Sequence, residues 1–163
     1  MRAYRWFFGI AGFSLLMDQL AKWLVSSSMQ LHQSIELVEN FFHLTYVRNP
    51  GAAFGLLARH SLRMPFFIGI SLVATLGILW YARRTKGQRL IHLALGLILS
   101  GALGNLIDRI RFGEVIDFLD LHWYQYHWPA FNIADSAICV GVALLLFDSW
   151  REERQKKLSG TAA

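Results

Sequence analysis

The sequence is poor in charge and in cysteine. Of its 163 residues, 17 % are charged, against roughly 25 % in an ordinary soluble domain. Its single cysteine, Cys139, cannot close a bridge within the chain, which excludes a small secreted fold built on disulfides. Acidic residues number only 11 against 16 basic ones, and the formal net charge is +5. This scarcity of charge over the whole chain argues against a soluble enzyme and against a protein that is itself a disordered tail.

Apolar residues are abundant instead and fall into four long blocks. They make up 55 % of the chain, and the mean hydropathy is +0.36, so a protein this small has too little interior to bury them all. A helix needs about 20 largely apolar residues to cross the membrane, and helices satisfy their own backbone there. We therefore predict a mostly α-helical, integral membrane protein with a single membrane domain, residues 1–163. Its spans are expected at about 6–25, 64–82, 90–107 and 130–147.

Basic residues predict the orientation of these spans. Most of the Lys and Arg residues lie at one side, before the first block, between the second and third, and after the fourth. The positive-inside rule makes this side, residues 1–5, 83–89 and 148–163, cytoplasmic. Because the basic residues flank spans and form no aromatic-lined groove, we expect no nucleic-acid partner. The tail after Arg151 is expected to be disordered.

Two segments, 26–63 and 108–129, then lie on the extracytoplasmic side. The first contains β-branched and aromatic residues in partial alternation between Ile35 and Val47, which predicts a small β platform. The second is expected to be a short loop or helix. Its tryptophans and tyrosines, between Trp123 and Trp128, are typical of the membrane–water interface and of contact with membrane lipids.

Ionisable residues within or beside these spans indicate function by default. Asp18 and Lys22 are four residues apart, so they share one helix face, either as a structural ion pair or as support for a polar site. Asn105, Asp108 and Arg109 share a face of the third helix in the same way. An Asp108–Arg109 pair would keep the carboxylate ionised, which favours a scaffolding or substrate-holding role over proton transfer.

Asp117 and Asp135 flank the connection between the third and fourth helices, so both lie on the outer side. Each alone is open to interpretation as a helix cap, as is Asn132. Together, two adjacent carboxylates cannot both ionise easily, so they share a proton as one acid and one base. Such a pair can activate water against an amide carbonyl and protonate the leaving amine.

A metal site is not expected. His122 and His127 are five residues apart, but no HExxH motif or second Cys/His cluster accompanies them, so interfacial side chains explain them better. Two other functions stay open on these residues. One is a small transporter or proton-relay protein that uses Asp18, Lys22, Asp108 and Asp135, and the other is a membrane adaptor without catalytic activity.

Five ordered stretches resemble one known family, the lipoprotein signal peptidases, which are membrane aspartic peptidases. The matching stretches run from Asp18 to Ser136 and comprise DQLAK at 18–22, NPGAAFG at 49–55, GALGNLIDR at 101–109, VIDF at 115–118 and FNIADS at 131–136. The resemblance implies an endopeptidase that removes the signal peptide from diacylglyceryl-modified prolipoproteins, just before the lipidated cysteine.

The resemblance also assigns roles to individual residues. It implies that Asp117 and Asp135 are catalytic and that no cofactor or metal is needed. It implies further that globomycin-type cyclic peptide inhibitors bind at the dyad, and we expect the protein to be monomeric in the bacterial inner membrane. The residues implied to contact substrate are Asn49, Gly51, Asn105, Arg109 and Asn132, and those implied to support them are Asp18, Lys22, Gly104 and Asp108.

Overall fold

The computed structural model describes residues 2–51, 60–85 and 88–159. Within these ranges the chain forms four long helices and four strands. They are α1 (Arg2–Ser28), β1 (Ser34–Val38), β2 (Phe42–Asn49), α2 (Arg63–Arg84), α3 (Arg89–Phe112), β3 (Val115–Trp123), β4 (Tyr126–His127) and α4 (Ile133–Leu158).

All four helices are long and apolar enough to cross a membrane, which confirms the expectation of four membrane helices. Helix α3 is the central one, because it packs against α1, α2 and α4. In its most apolar stretch 67 % of the residues are buried, against 17 % to 28 % in the other three helices. Those three helices therefore present most of their apolar surface to lipid, for example at Phe13, Trp23, Val73 and Leu146. This accounts for the excess of apolar residues in the composition.

Small residues on α3 allow its neighbours to approach closely. A Cβ added at Gly101 would collide with the backbone carbonyl of Ala134 on α4. A Cβ at Gly104 would lie 2.6 Å from Asp18 Oδ2 and 3.2 Å from the Cβ of Ala134. Because these two positions have no side chain, the start of α4 and the middle of α1 can pack in direct contact with α3.

The predicted β platform is confirmed as an antiparallel sheet of order β1-β2-β3-β4. The connection between α3 and α4 differs from the expected loop or short helix, because β3 is a nine-residue strand that pairs with β2 from Val115 to Leu121. Helix α3 first continues to Phe112 and ends at Gly113, whose φ of +75° is the left-handed conformation that closes many helices. Pairing with β2 decides the strand, and that partner lies far away in the sequence.

Helix bounds differ from the hydropathy blocks at both ends of α4. The helix begins at Ile133 and not at 130, because Asn132 caps it. It continues to Leu158, so the expectation of a disordered tail after Arg151 is wrong for the residues described there. A Lys157–Glu153 pair at 2.7 Å lies one turn apart on this polar end. Hydropathy reports which residues face lipid, whereas a helix ends where its backbone finds caps.

Candidate active site

Strand β3 and the first turn of α4 bring Asp117 and Asp135 together around a shared set of amides. Asn132 Nδ2 donates to Asp117 Oδ1 at 2.7 Å, and the Asn132 backbone N–H donates to Asp135 Oδ2 at 3.2 Å. One asparagine therefore contacts both carboxylates. The structure thus brings the two predicted aspartates together at Asn132.

Asp117 is almost completely enclosed, with 2 % of its surface exposed. Its second oxygen, Oδ2, accepts a hydrogen bond from Asn49 Nδ2 at 3.0 Å. Burial, and after it the negative charge of Asp135, raise the pKa of Asp117 from the ordinary 3.8 to about 7. The two amide hydrogen bonds and the positive charge of Lys22 oppose this rise in pKa. A carboxyl group with such a pKa holds a proton near neutral pH.

Asp135 takes part in the cap of α4, one of the alternatives that the sequence left open, and it also lines the cavity of the candidate site. Asn132 is the N-cap of α4, and its Oδ1 accepts from the Asp135 backbone N–H at 2.9 Å. The Asp135 side chain returns the bond to the N-cap backbone, which completes a capping box. Its other oxygen, Oδ1, accepts from Asn105 Nδ2 at 2.8 Å. The carboxylate is thus held by one backbone and one side-chain amide.

A buried lysine connects the supporting residues. Lys22 Nζ lies 2.9 Å from Asp18 Oδ2, 2.9 Å from Asp108 Oδ2 and 3.1 Å from Asn105 Oδ1. The Asp18–Lys22 pair is therefore present, but Asp108 pairs with Lys22 and not with Arg109 as expected. A lysine side chain reaches across from α1 to α3 here, which spacing along α3 alone does not reveal.

Asp18 and Asp108, the two carboxylates that pair with Lys22, each accept a hydrogen bond from the backbone beside one aspartate of the site. Asp18 Oδ1 accepts from the N–H of Ala134 at 2.8 Å, directly before Asp135. Asp108 Oδ2 accepts from the N–H of Ile116 at 3.1 Å, directly before Asp117. Lys22 therefore joins, through two carboxylates, the two segments that carry the dyad.

Sequence reasoning missed Gln19 as a site residue. Its Nε2 lies 3.2 Å from Asp18 Oδ2, 3.2 Å from Asp108 Oδ1 and 3.3 Å from the carbonyl oxygen of Gly104. The signal that could have found it is its place beside Asp18 in an otherwise apolar block. Gln19 adds a neutral donor between the two carboxylates that Lys22 pairs.

The remaining predicted residues form the rim of the site. Arg109 donates from Nη2 to the carbonyl oxygen of Gly51 at 3.3 Å and from Nη1 to that of Asn105 at 3.3 Å, and its guanidinium lies 4.6 Å from the Phe67 ring centre. The Gly51 N–H donates to Asn49 Oδ1 at 3.0 Å. The second half of the NPGAAFG stretch, residues 52–55, lies outside the described residues.

These polar groups open onto a cavity of about 560 Å³. Asp117, Asp135, Asn49, Asn105, Gly51 and Arg109 all line it. The rest of its wall is largely apolar and comes from β3, the segment before α4 and α4 itself, at Leu121, Phe131, Ile138 and Val140. Of the predicted contact residues, Asn132 lies beneath the two aspartates and is completely buried. A site of this shape can take a mainly apolar chain and present one polar bond to two carboxyl groups.

Comparisons with known proteins agree with one another. A family model described as signal peptidase (SPase) II matches residues 10–151. The chain is 56 % identical over 155 residues to a lipoprotein signal peptidase of Geobacter sulfurreducens, covering 94 % of this chain and 96 % of that protein. It is 54 % identical over 144 residues to one of Syntrophotalea carbinolica, covering 88 % and 89 %. A bacterial membrane enzyme structure determined by the in meso method at 2.3 Å resolution is 34 % identical, with a TM-score of 0.80 over 90 % of this chain and 88 % of that one.

Proposed function

The chain belongs to the signal peptidase II family, and on that premise we propose that Asp117 and Asp135 are its catalytic dyad. It is a bacterial membrane aspartic peptidase that removes the signal peptide from prolipoproteins. The observation that supports the dyad is the pair of carboxyl groups held by one asparagine at the base of an apolar cavity. No feature of the described residues favours the transporter or the adaptor.

The dyad works with one shared proton. The ionised member takes a proton from a water molecule as that water attacks the scissile carbonyl. The protonated member polarises the carbonyl oxygen and then protonates the leaving amine. Asn132, Asn105 and Asn49 hold the four carboxylate oxygens in place, so little reorganisation is needed as charge develops.

The lipid group of the substrate sets the depth of the scissile bond. Acyl chains confine the modified cysteine to the membrane, and the apolar wall of the cavity accepts the signal-peptide chain beside it. This confinement converts a bimolecular encounter into an oriented one. We propose that Asn49, Gly51 and Arg109 contact the peptide backbone at the rim, that cleavage occurs just before the lipidated cysteine, and that globomycin-type cyclic peptides occupy the same cavity.

The basic residues at the helix ends support an orientation for the chain. Arg83 and Arg84 end α2, and Lys156 and Lys157 lie in the last turn of α4, at the ends away from the dyad. We propose that these ends are cytoplasmic and that the dyad lies near the outer face of the inner membrane. The monomer is the catalytic unit in this proposal.

Activity is expected to fall as the pH rises through about 7, where Asp117 loses its proton. The folded chain binds this proton more tightly than the unfolded chain does, so stability falls as the pH rises from the ordinary pKa of 3.8 to about 7 and does not fall further on this account above it. In Asn49→Ala a hydrogen bond that lowers the Asp117 pKa is lost. The falling limb of a kcat/KM profile against pH should therefore move to higher pH in this variant. A limb that stays in place or moves to lower pH contradicts the assignment of this proton to Asp117.

Cleavage is expected to depend on the lipid. A precursor without its diacylglyceryl group should be cleaved about 100-fold more slowly or worse, because its scissile bond is no longer held at the depth of the dyad. The measurement is a gel-shift cleavage assay in which modified and unmodified forms of one precursor are compared. Equal turnover of the two forms would contradict the tethering.

A further inference from the structure

Three side chains of the β platform form a group with metal-ligand chemistry. His43 on β2 and Asp120 and His122 on β3 each place one ligand atom within 4.8 Å of the others. It is the one such group that the described part of the chain contains. Asp120 and His43 are half-buried, and His122 is buried.

The sheet register explains why these residues meet. His43 lies directly opposite Asp120 in the β2–β3 pairing, and His122 follows Asp120 by two residues on the same face of the pleat. On the other side, Glu36 of β1 lies opposite His43. Asp117 is three positions before Asp120, and this odd spacing puts the Asp117 side chain on the opposite face of β3. The group is therefore separate from the catalytic cavity.

The two ring nitrogens of His43 differ in their hydrogen bonds. Its Nδ1 lies 3.2 Å from Ser34 Oγ. Its Nε2 is buried without a hydrogen-bond partner among the described residues, and Glu36 Oε1 lies 3.7 Å from it. When Nδ1 carries the proton and donates it to Ser34, the Nε2 lone pair is available, as in many metal-binding histidines. The His43 and His122 ring centres are 4.3 Å apart.

We propose that His43, Asp120 and His122 bind a zinc ion, with Glu36 or a water molecule as the fourth ligand. Two imidazoles and a carboxylate suit Zn²⁺ better than Mg²⁺ or Ca²⁺, which prefer oxygen ligands alone. Zinc takes such ligands at about 2.0–2.2 Å in a tetrahedron. The separation between His43 Nε2 and Glu36 Oε1 is close to the tetrahedral edge of about 3.3 Å that these bond lengths require.

The ion has a structural role in this proposal. It joins β2 to β3, and β1 as well where Glu36 takes part, next to the irregularity in β2 between Leu44 and Val47. Asp117 lies three positions before Asp120 on β3, so a fixed register of β3 helps to fix the position of Asp117. Sequence spacing brought only His122 and His127 into consideration as a pair, and no metal site was expected there; His43 is distant in the chain, and only the sheet brings it close to Asp120.

The test is zinc binding to the untagged, metal-free protein in detergent micelles, measured by calorimetric titration. The absorption spectrum of Co²⁺, a spectroscopic substitute, reports the geometry. We expect one ion per chain with micromolar or tighter affinity, a tetrahedral Co²⁺ spectrum, and a rise in Tm with zinc. Because His122 is buried, the variants are His43→Gln and Asp120→Asn, with His60→Gln, an exposed histidine before α2, as the matched control.

Each outcome decides the proposal. Loss of more than about 100-fold in zinc affinity in His43→Gln and Asp120→Asn, with unchanged binding in His60→Gln, supports it, since even outer-shell changes cost 10–100-fold. Absence of zinc binding at micromolar concentration overturns it. So does an affinity that His43→Gln leaves intact or that His60→Gln reduces equally.

Discussion

Asp117→Asn and Asp135→Asn are each expected to reduce cleavage of a diacylglyceryl-modified precursor by about 10⁴-fold or more. An amide cannot take a proton from water or share one with its partner, and either variant leaves only one carboxyl group in the cavity. The substitution keeps the size of the side chain, so the helix cap at Asn132 and the fold should persist. The measurement is single-turnover cleavage by purified protein, together with the circular dichroism spectrum.

The matched control is Asp148→Asn on α4. Asp148 is also buried and accepts from Arg151 Nη2 at 2.7 Å, but it lies roughly 20 Å along the helix from Asp135. This variant is expected to lose some stability and to keep its cleavage activity. Full cleavage by either dyad variant would disprove the dyad. Equal loss of activity in all three variants would point to a general effect of buried aspartates.

Lys22→Met is expected to destabilise the protein by about 3–5 kcal/mol and to abolish cleavage. Asp18 and Asp108 are both buried and both lie 2.9 Å from the ammonium group, so its removal leaves two carboxylates without a counter-charge in a dry interior. The N–H groups of Ala134 and Ile116 depend on these carboxylates. The measurement is thermal unfolding in detergent, with cleavage assayed below the new Tm.

Two further variants separate charge from packing. Lys157→Met removes an exposed partner of Glu153 and is expected to change neither the Tm nor cleavage measurably, because exposed pairs contribute little. The triple variant Asp18→Asn, Lys22→Met, Asp108→Asn removes the uncompensated charges and should be more stable than Lys22→Met alone. A triple variant no more stable than Lys22→Met would show that Lys22 acts through packing and not through charge.

Much of the fold could be predicted from local patterns, which also singled out the two aspartates of the proposed dyad. The four spans follow from runs of apolar residues, and the Asp18–Lys22 pair follows from helical spacing. The sequence predicted a short loop or helix where β3 lies and a disordered tail where α4 continues, and both predictions are wrong. Strand β3 depends on its pairing with β2, which lies far away in the chain. The last turns of α4 continue the helix beyond its apolar residues, where hydropathy gives no signal.

The pairing of Asp108 shows the same limit at the site. Its neighbour Arg109 was the expected partner, yet Lys22 from α1 takes that place, and Arg109 binds the carbonyl of Gly51. Gln19 was missed because its contacts cross from one element to another. Spacing along one helix or strand shows which side chains share a face, but it does not show what faces them.

By itself, the sequence determined that this chain is a membrane protein. Its charged residues are too few and its apolar residues too many for a protein surrounded by water, so lipid is the suitable solvent. It also determined which carboxylates are candidates for chemistry, since few ionisable groups stand in or beside the spans. The tertiary structure alone decided how they are held: one asparagine between Asp117 and Asp135, and one lysine behind the segments that carry them. The physical reason is that burial and hydrogen-bond partners, which determine how a carboxyl group ionises, come from residues distant in the chain.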